Sequence, residues 1–218
     1  MKNNSFSWDA FNDAPVVGIM RGVTIETIHR IIPIYIKAGF STVEITMNTE
    51  GATDLITEMR NVYPDINVGA GTVCSLEDLK NAADAGAQFI VTPVINEEIF
   101  APCKALGLPI FPGALTPTEI YKAWTLGAAA VKVFPCSQFG VGYIKDVMAP
   151  LNTIKLLPTG GVDKKNIGEF FKVGAVGVGM GGSLFDKALI QPGKELELEA
   201  HFAQIKAEIK GIQEPTLI

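Results

Sequence analysis

The chain has 218 residues, 48% hydrophobic and 19% charged, a composition that excludes extended disorder and suits one large α/β domain. A formal net charge of −5, with no local Lys/Arg cluster, argues against a nucleic-acid partner. No apolar run approaches the ~18 residues that span a bilayer, and the polar amino terminus lacks the apolar core of a signal peptide. Nor does the spacing of Cys74, Cys103 and Cys136 fit a disulfide framework. We therefore expect a cytoplasmic protein with reduced cysteines that binds neither nucleic acid nor membrane.

Short runs rich in Val and Ile alternate along the chain with segments of helical spacing. In the first helical segment, Thr24 to Lys37, the spacing places Ile25, Ile28, Ile32 and Ile36 on one side. Strict alternation of strands and helices predicts a parallel sheet. The predicted strands are Val16 to Met20, Val43 to Met47, Val68 to Val73, Phe89 to Pro93, Pro109 to Ala114, Ala130 to Pro135, Lys155 to Gly161 and Ala175 to Met180.

The ends of the predicted helices carry matching signals, so one βα unit is reused along the chain. A glycine follows each of several helical segments as a C-terminal cap, at Gly39, Gly86, Gly107, Gly127 and Gly174. The predicted N-caps are Thr24, Ser75, Asn96, Thr116 and Asp163. Eight such units predict a single-domain (β/α)8 TIM barrel over residues 1–218, with flanking helices at Phe6 to Phe11 and Leu196 to Lys210. The first βα turn carries no GxGxxG and so does not favour an open dinucleotide-binding sheet.

Two charged residues are predicted to face the interior of this barrel. Because side chains alternate along a strand, Val43 and Ile45 face the helices while Glu44 points inward from the second strand. The same count turns Lys132 and Phe134 inward from the sixth strand. Strands four apart lie on opposite walls of an eight-stranded barrel, so a carboxylate and an amine should meet across the axis.

Burial of a lysine lowers its pKa and makes neutral amine available to attack a ketone. A neighbouring Glu can then move protons through carbinolamine, imine and enamine, with the iminium as electron sink and no metal required. Lys132 and Glu44 therefore favour a class I, Schiff-base aldolase. The alternative is a buried ion pair that only fixes the register of the strands.

Two glycine-rich loops follow the seventh and eighth predicted strands, where barrels often bind phosphate. Thr159 to Val162 is expected to lead into a helix beginning at Asp163, and Gly179 to Ser183 into another. Such loops let backbone N–H groups close on an anion, although tight turns for barrel closure are the alternative.

Arg21, His29 and His201 are the remaining polar candidates for the site. Arg21 ends the first strand, where it is either an anion-binding cation or a surface arginine. Neither His29 nor His201 sits where a barrel places catalytic groups, so no metal site is predicted.

Between about Pro15 and Leu184 the chain carries a series of short motifs in a fixed order: Val43-Glu44-Ile45-Thr46, Gly69-Ala70-Gly71-Thr72-Val73, Val91-Thr92-Pro93, Val131-Lys132-Val133-Phe134-Pro135, Pro158-Thr159-Gly160-Gly161 and Gly181-Gly182-Ser183. In these motifs the sequence resembles the 2-keto-3-deoxy-6-phosphogluconate (KDPG) and 4-hydroxy-2-oxoglutarate (KHG) aldolase family, including its phosphogalactonate relatives. The resemblance implies Lys132 as the Schiff-base lysine and Glu44 as the proton-transfer group, without a cofactor, in a homotrimer. It further implies that Thr72, Pro93, Phe134 and Thr159 line the pyruvyl pocket, with Gly160, Gly161, Gly182 and Ser183 at the phosphate.

One position departs from many phosphogluconate aldolases, which carry Leu-Arg-Thr where this chain has Met47-Asn48-Thr49. Asn48 and Met20-Arg21-Gly22 resemble the phosphogalactonate branch, in which Arg21 would supply the anion contact. The expected substrate is thus a small 2-keto-3-deoxy-6-phospho sugar acid of either C4 configuration, with 4-hydroxy-2-oxoglutarate as a further candidate. The alternatives are a sugar-phosphate isomerase or epimerase on the same barrel and a non-catalytic sugar-phosphate-binding protein.

Overall fold

The computed structural model describes residues 5–210, so the first four and last eight residues of the predicted domain lie outside the described residues. The helices are α1 Trp8–Asp13, α2 Ile25–Lys37, α3 Ala52–Val62, α4 Leu76–Asp84, α5 Glu97–Leu106, α6 Pro117–Thr125, α7 Gly140–Met148, α8 Ile167–Lys172 and α9 Glu195–Lys210, with a 3-10 turn at Cys136–Gln138. The strands are β1 Val16–Met20, β2 Thr42–Thr46, β3 Asn67–Gly71, β4 Ile90–Val91, β5 Ile110–Phe111, β6 Gly113–Ala114, β7 Val131–Val133, β8 Leu156–Pro158 and β9 Val178–Met180.

All strand pairs among the described residues are parallel, which confirms the predicted α/β class. One sheet has six strands in the order β5-β4-β3-β2-β1-β9, and the other has three in the order β6-β7-β8. The prediction of a single strand from Pro109 to Ala114 is wrong in detail, because Pro112 separates β5 from β6. Proline has no N–H to give to a ladder, so it interrupts regular pairing.

The capping signals mostly behave as predicted. The side chains of Thr24, Ser75, Asn96 and Thr116 each accept a backbone N–H at a helix start. All five predicted C-terminal glycines have positive φ, from 70° to 100°. The prediction for Asp163 is wrong, because α8 begins at Ile167 and Asp163 caps only the turn before it, accepting the Lys165 N–H at 2.7 Å.

The buried face of α2 also differs from the prediction. Ile28, Ile31, Ile32 and Tyr35 are buried, whereas Ile36 is 38% exposed. The face is rotated because Tyr35 is drawn inward, where its hydroxyl donates to the Thr42 carbonyl at 2.9 Å.

Aromatic side chains fill the interior at the amino ends of the strands. Phe6 and Phe11, from the predicted amino-terminal flanking segment, pack there with Phe89 and Phe111. Gly69 leaves space for the Phe89 ring, which a Cβ at that position would strike. These rings therefore pack into one cluster at that end of the strands. No helix in the described range 5–210 is long and apolar enough to cross a membrane.

The carboxyl-terminal helix is anchored by Lys206, whose side chain is only 8% exposed. Its Nζ donates to the carbonyl oxygens of Asp13 at 2.8 Å and Gly39 at 3.0 Å, and lies 3.1 Å from Asp13 Oδ2. One ammonium therefore ties α9 to the ends of α1 and α2.

We expect Lys206→Met to lower the free energy of unfolding by about 3 kcal/mol, because charge-assisted bonds to two carbonyls are lost. Urea unfolding should show the shift as a lower midpoint with an unchanged slope. Lys172→Met is the matched control, since that lysine is exposed and forms its ion pair with Glu169 one helical turn away. Equal midpoints for the two variants would contradict the anchoring role.

Candidate active site

Glu44 and Lys132 lie at the centres of β2 and β7 and line one narrow pocket in the interior. Glu44 is 1% exposed and Lys132 is 6% exposed. About 190 Å³ of space in and at the opening of this pocket is free of protein atoms, and that volume includes open solvent. Apart from Glu44, Lys132, Thr159 and Gly179, its lining is apolar: Val17, Ile19, Val91, Phe111 and Leu157. Two groups that ordinarily carry opposite charges thus share a setting from which bulk water is largely excluded.

The Glu44 carboxyl group is packed against backbone rather than paired. Among the described residues, its Oε2 is buried without a hydrogen-bond partner. Gly71 on the neighbouring strand makes room for it, because a Cβ at Gly71 would overlap the carboxyl group. Burial raises the pKa of Glu44 above its usual value, and the nearby cations Lys132 and Arg21 only partly oppose that effect. The carboxyl group is therefore poised to take up and release a proton.

Burial also dominates the electrostatics of Lys132. Desolvation lowers the pKa of its amine below the usual 10.5, and the nearby Glu44 carboxylate partly restores it. The positive charge of Arg21 lowers the pKa further. The Phe134 ring centroid lies 5.0 Å from Nζ. The lysine consequently offers more neutral amine near neutral pH than an exposed lysine would.

Thr159 completes the polar part of this pocket. It follows β8, is 3% exposed, and donates its hydroxyl hydrogen to the Leu157 carbonyl at 3.3 Å. Gly179 on β9 lies against the threonine side chain, which a Cβ at that position would strike. Gly179, like Gly71, thus makes room for a polar side chain that lines the pocket beside Lys132.

Two of the other predicted residues lie next to this pocket rather than in it. Pro93 and Phe134 line an adjoining depression, and Phe134 is 38% exposed. Phe134 lies one residue beyond β7, with its ring centroid 5.0 Å from Lys132 Nζ. It therefore lies on the same side of the strand as Lys132, at the mouth of the pocket.

Arg21 and Thr72 follow directly after β1 and β3. Arg21 is exposed, yet its charge affects the pKa values of both Glu44 and Lys132, so it lies near the pocket mouth. Thr49, which the sequence did not single out as a site residue, accepts the Gly22 N–H at 3.0 Å and fixes the backbone next to Arg21. Thr72 has φ 57°, a left-handed conformation rare for a β-branched residue and often found at functional sites.

The two glycine-rich loops meet each other. Ser183 Oγ donates to the Val162 carbonyl at 2.6 Å, and Asn166 Nδ2 donates to the Gly161 carbonyl at 2.8 Å. Among the bonds formed outside helices and strands within residues 5–210, the backbone N–H groups of Gly161, Gly182 and Ser183 donate to no backbone carbonyl. These three amides are available to an anion. The predicted helix after the eighth strand is wrong, since Gly181 to Phe185 form only a single turn.

The structure adds residues that the sequence did not assign to the site. His201 contacts the Ser183 carbonyl, although the two residues are 18 positions apart. Cys74 has an unpaired thiol whose pKa the Lys132 ammonium affects. His29 lies away from the pocket, between Tyr63 and Glu58. No group of three or more His, Cys, Asp or Glu residues in the described part of the chain is arranged to hold a metal ion.

Comparison with known proteins identifies the family of this chain. The family model described as KDPG and KHG aldolase matches residues 9–200. A 2-dehydro-3-deoxy-6-phosphogalactonate aldolase of Escherichia coli (strain K12) is 34% identical over 202 residues, 92% of this chain and 95% of the relative. A 2-dehydro-3-deoxy-phosphogluconate aldolase of Haemophilus influenzae is 40% identical over 157 residues, 71% of this chain and 74% of the relative.

The solved native KDPGal structure superposes with a TM-score of 0.83 at 31% identity, covering 92% of this chain and 97% of that one. The family model and these relatives match most of the chain and include the strands that carry Glu44 and Lys132. The chain therefore belongs to the KDPG and KHG aldolase family of carbon–carbon lyases.

Proposed function

We propose that this aldolase reversibly cleaves 2-keto-3-deoxy-6-phosphogluconate, or its galactonate epimer, to pyruvate and glyceraldehyde 3-phosphate through a Schiff base on Lys132. The observation that carries the proposal is the burial of Lys132 and Glu44 in one apolar pocket. Both pKa shifts favour the neutral forms that imine chemistry uses. Cleavage of 4-hydroxy-2-oxoglutarate to pyruvate and glyoxylate is a further candidate activity.

The neutral Lys132 amine adds to the C2 ketone, and Glu44 in its neutral form gives the proton with which the carbinolamine hydroxyl leaves as water, so that a protonated imine forms. The resulting Glu44 carboxylate then removes the proton of the C4 hydroxyl while the C3–C4 bond breaks, releasing the aldehyde. The electron pair of that bond moves into the iminium and leaves an enamine. Protonation of the enamine at C3 and addition of water to the imine return pyruvate and the free amine. The iminium is the electron sink, so the steps require neither metal nor cofactor.

The remaining roles follow from position. Thr159 lies beside Lys132 to contact the pyruvyl part, and Pro93 and Phe134 line the adjoining depression. Thr72, directly after β3, is assigned to the same pyruvyl pocket from the family resemblance. Arg21 provides a cation for the substrate carboxylate or phosphate. The glycine-rich loops at Gly160, Gly161, Gly182 and Ser183 receive the phosphate, with the free amides of Gly161, Gly182 and Ser183 as donors, as backbone N–H groups in such loops commonly are.

Incubation with pyruvate and borohydride, followed by mass measurement, tests the chemistry. We expect one reduced pyruvate adduct per chain, mapped by peptide analysis to Lys132. A phosphate-binding protein without catalytic activity would gain no adduct, and an isomerase or epimerase would remain active after the treatment. Cleavage rates on the gluconate and galactonate epimers and on 4-hydroxy-2-oxoglutarate would then identify the substrate.

The two sheets support a further proposal, a closed eight-stranded (β/α)8 barrel in a single domain over residues 1–218. At one junction, the amides of Ala129 and Lys132 donate to the carbonyls of Ile110 and Pro112, both at 2.9 Å. At the other, Thr159 forms a parallel bridge with Gly179. In this arrangement β5 and β6 are two halves of one strand, and α1 and α9 are flanking helices.

We also propose a cytoplasmic homotrimer. The three unpaired cysteines favour a reducing compartment, and the family resemblance supports the trimer. Light scattering should then give three times the 23.3 kDa mass of one chain. A mass of one chain or two would overturn the trimer without affecting the proposed chemistry.

A further inference from the structure

His201 in α9 contacts the loop that carries Gly182 and Ser183. Its Nε2 lies 3.0 Å from the Ser183 carbonyl oxygen. Because a carbonyl oxygen only accepts hydrogen bonds, Nε2 carries the proton in this contact. The next residue, Phe202, packs against Phe185 with ring centroids 6.0 Å apart. Two consecutive residues of α9 thus hold the segment that immediately follows the proposed phosphate amides.

The contact fixes one particular peptide group. The peptide that joins Ser183 to Leu184 has its carbonyl held by His201 and its N–H bonded to the Gly181 carbonyl at 2.9 Å. The Ser183 hydroxyl is used separately, as the donor to Val162. With both ends of this peptide held, the turn cannot rotate its carbonyl toward the side where the Gly182 and Ser183 amides are free. A carbonyl turned to that side would repel an anion.

The same helix also reaches the other glycine-rich loop. Lys164 Nζ, on the segment after Gly161, donates to Gln204 Oε1 at 3.0 Å. Helix α9 therefore supports both loops from outside, although it supplies no residue to the pocket that contains Lys132.

We propose that His201 is a positioning residue for the substrate phosphate, which it orders by fixing the Ser183–Leu184 peptide. This inference rests on the phosphate role proposed above for the loop. His201 does not touch the substrate, and it is remote from the imine chemistry. Its loss should therefore weaken binding of phosphorylated substrate and leave imine formation with pyruvate, which has no phosphate, unchanged.

The test compares His201→Ala with His201→Gln, which retains an N–H donor on a side chain of similar reach. We expect the alanine variant to raise KM for the phosphorylated substrate by about five- to tenfold, the effect of losing one hydrogen bond, with kcat nearly unchanged. The glutamine variant should restore most of the affinity. The pyruvate concentration that gives half-maximal borohydride trapping should be the same in all three proteins. The chain's other histidine provides the control, since His29→Ala should leave KM unchanged.

The results that would overturn the role of His201 differ from the result that would overturn the proposed function. An unchanged KM in His201→Ala, or an equal loss of phosphorylated-substrate cleavage and pyruvate trapping, would overturn the positioning role. A folded His201→Gln variant that does not regain most of the wild-type affinity for phosphorylated substrate would also overturn the positioning role. That comparison is between the glutamine variant and the wild type, so it does not depend on the alanine variant. Absence of pyruvate trapping in the wild-type protein would instead overturn the proposed function.

Discussion

Lys132→Met is expected to abolish aldol cleavage and borohydride trapping together, because methionine preserves the apolar stem and removes the only amine among the described residues that line the pocket. Loss of a covalent nucleophile typically costs on the order of 10⁴-fold or more in turnover. Steady-state cleavage and mass measurement after pyruvate and borohydride treatment check both effects. Lys155→Met is the control, since that exposed lysine precedes β8 at the opposite end of the strands. Full activity in Lys132→Met would exclude the Schiff-base mechanism.

The same substitution should also change how stability depends on pH. The folded-state pKa of Lys132 lies below its ordinary value of 10.5, so the unfolded chain binds more protons between those two pKa values. The wild-type free energy of unfolding should therefore rise with pH across that window. At pH values below that window, burial of the Lys132 ammonium lowers the free energy of unfolding. Methionine at this position carries no charge and avoids that loss. Urea unfolding should show the variant's advantage at neutral pH shrinking as the pH approaches 10.5. An advantage that grows with pH would contradict the direction of the shift.

The inward position of Glu44 and Lys132 is predictable from sequence because it depends on a local rule. In a regular strand the side-chain period is two, so Val43 and Ile45 facing the helices place Glu44 inside. The same count places Phe134, one residue past β7, on the side of Lys132, where its ring centroid lies 5.0 Å from Nζ. Glycine caps are local in the same sense, since a positive φ is a property of one residue.

Features that depend on packing between distant segments were not predictable in this way. His201 reaches Ser183 only because Phe202 docks against Phe185, Tyr35 and Phe40, residues contributed by separate parts of the chain. The start of α8 was misplaced because Asp163 is a good N-cap in isolation, and its side chain is used instead by a preceding turn. Helical spacing also misplaced the buried face of α2, where the Tyr35 hydrogen bond decides the orientation.

Glu44→Gln should separate proton transfer from imine formation. Glutamine matches the size that Gly71 accommodates but cannot accept the C4 hydroxyl proton, so kcat should fall by about 10²- to 10⁴-fold, the usual range for a general base. Lys132 is unchanged, so pyruvate and borohydride should still give the adduct. Exchange of the pyruvate methyl protons with deuterated solvent should slow by a similar factor. Glu50→Gln, an exposed carboxylate just after β2, should leave all three measurements unchanged.

The pH dependence of borohydride trapping is a second test of Glu44→Gln, because the direction of its shift is predicted. The Glu44 carboxylate raises the pKa of Lys132, so its removal should lower that pKa further and enlarge the neutral amine fraction on the acid side. The rise of the trapping rate with pH should therefore begin at lower pH in Glu44→Gln than in the wild type. A shift to higher pH would mean that the Glu44 carboxylate does not raise the pKa of Lys132. Full turnover of Glu44→Gln would assign proton transfer to another group.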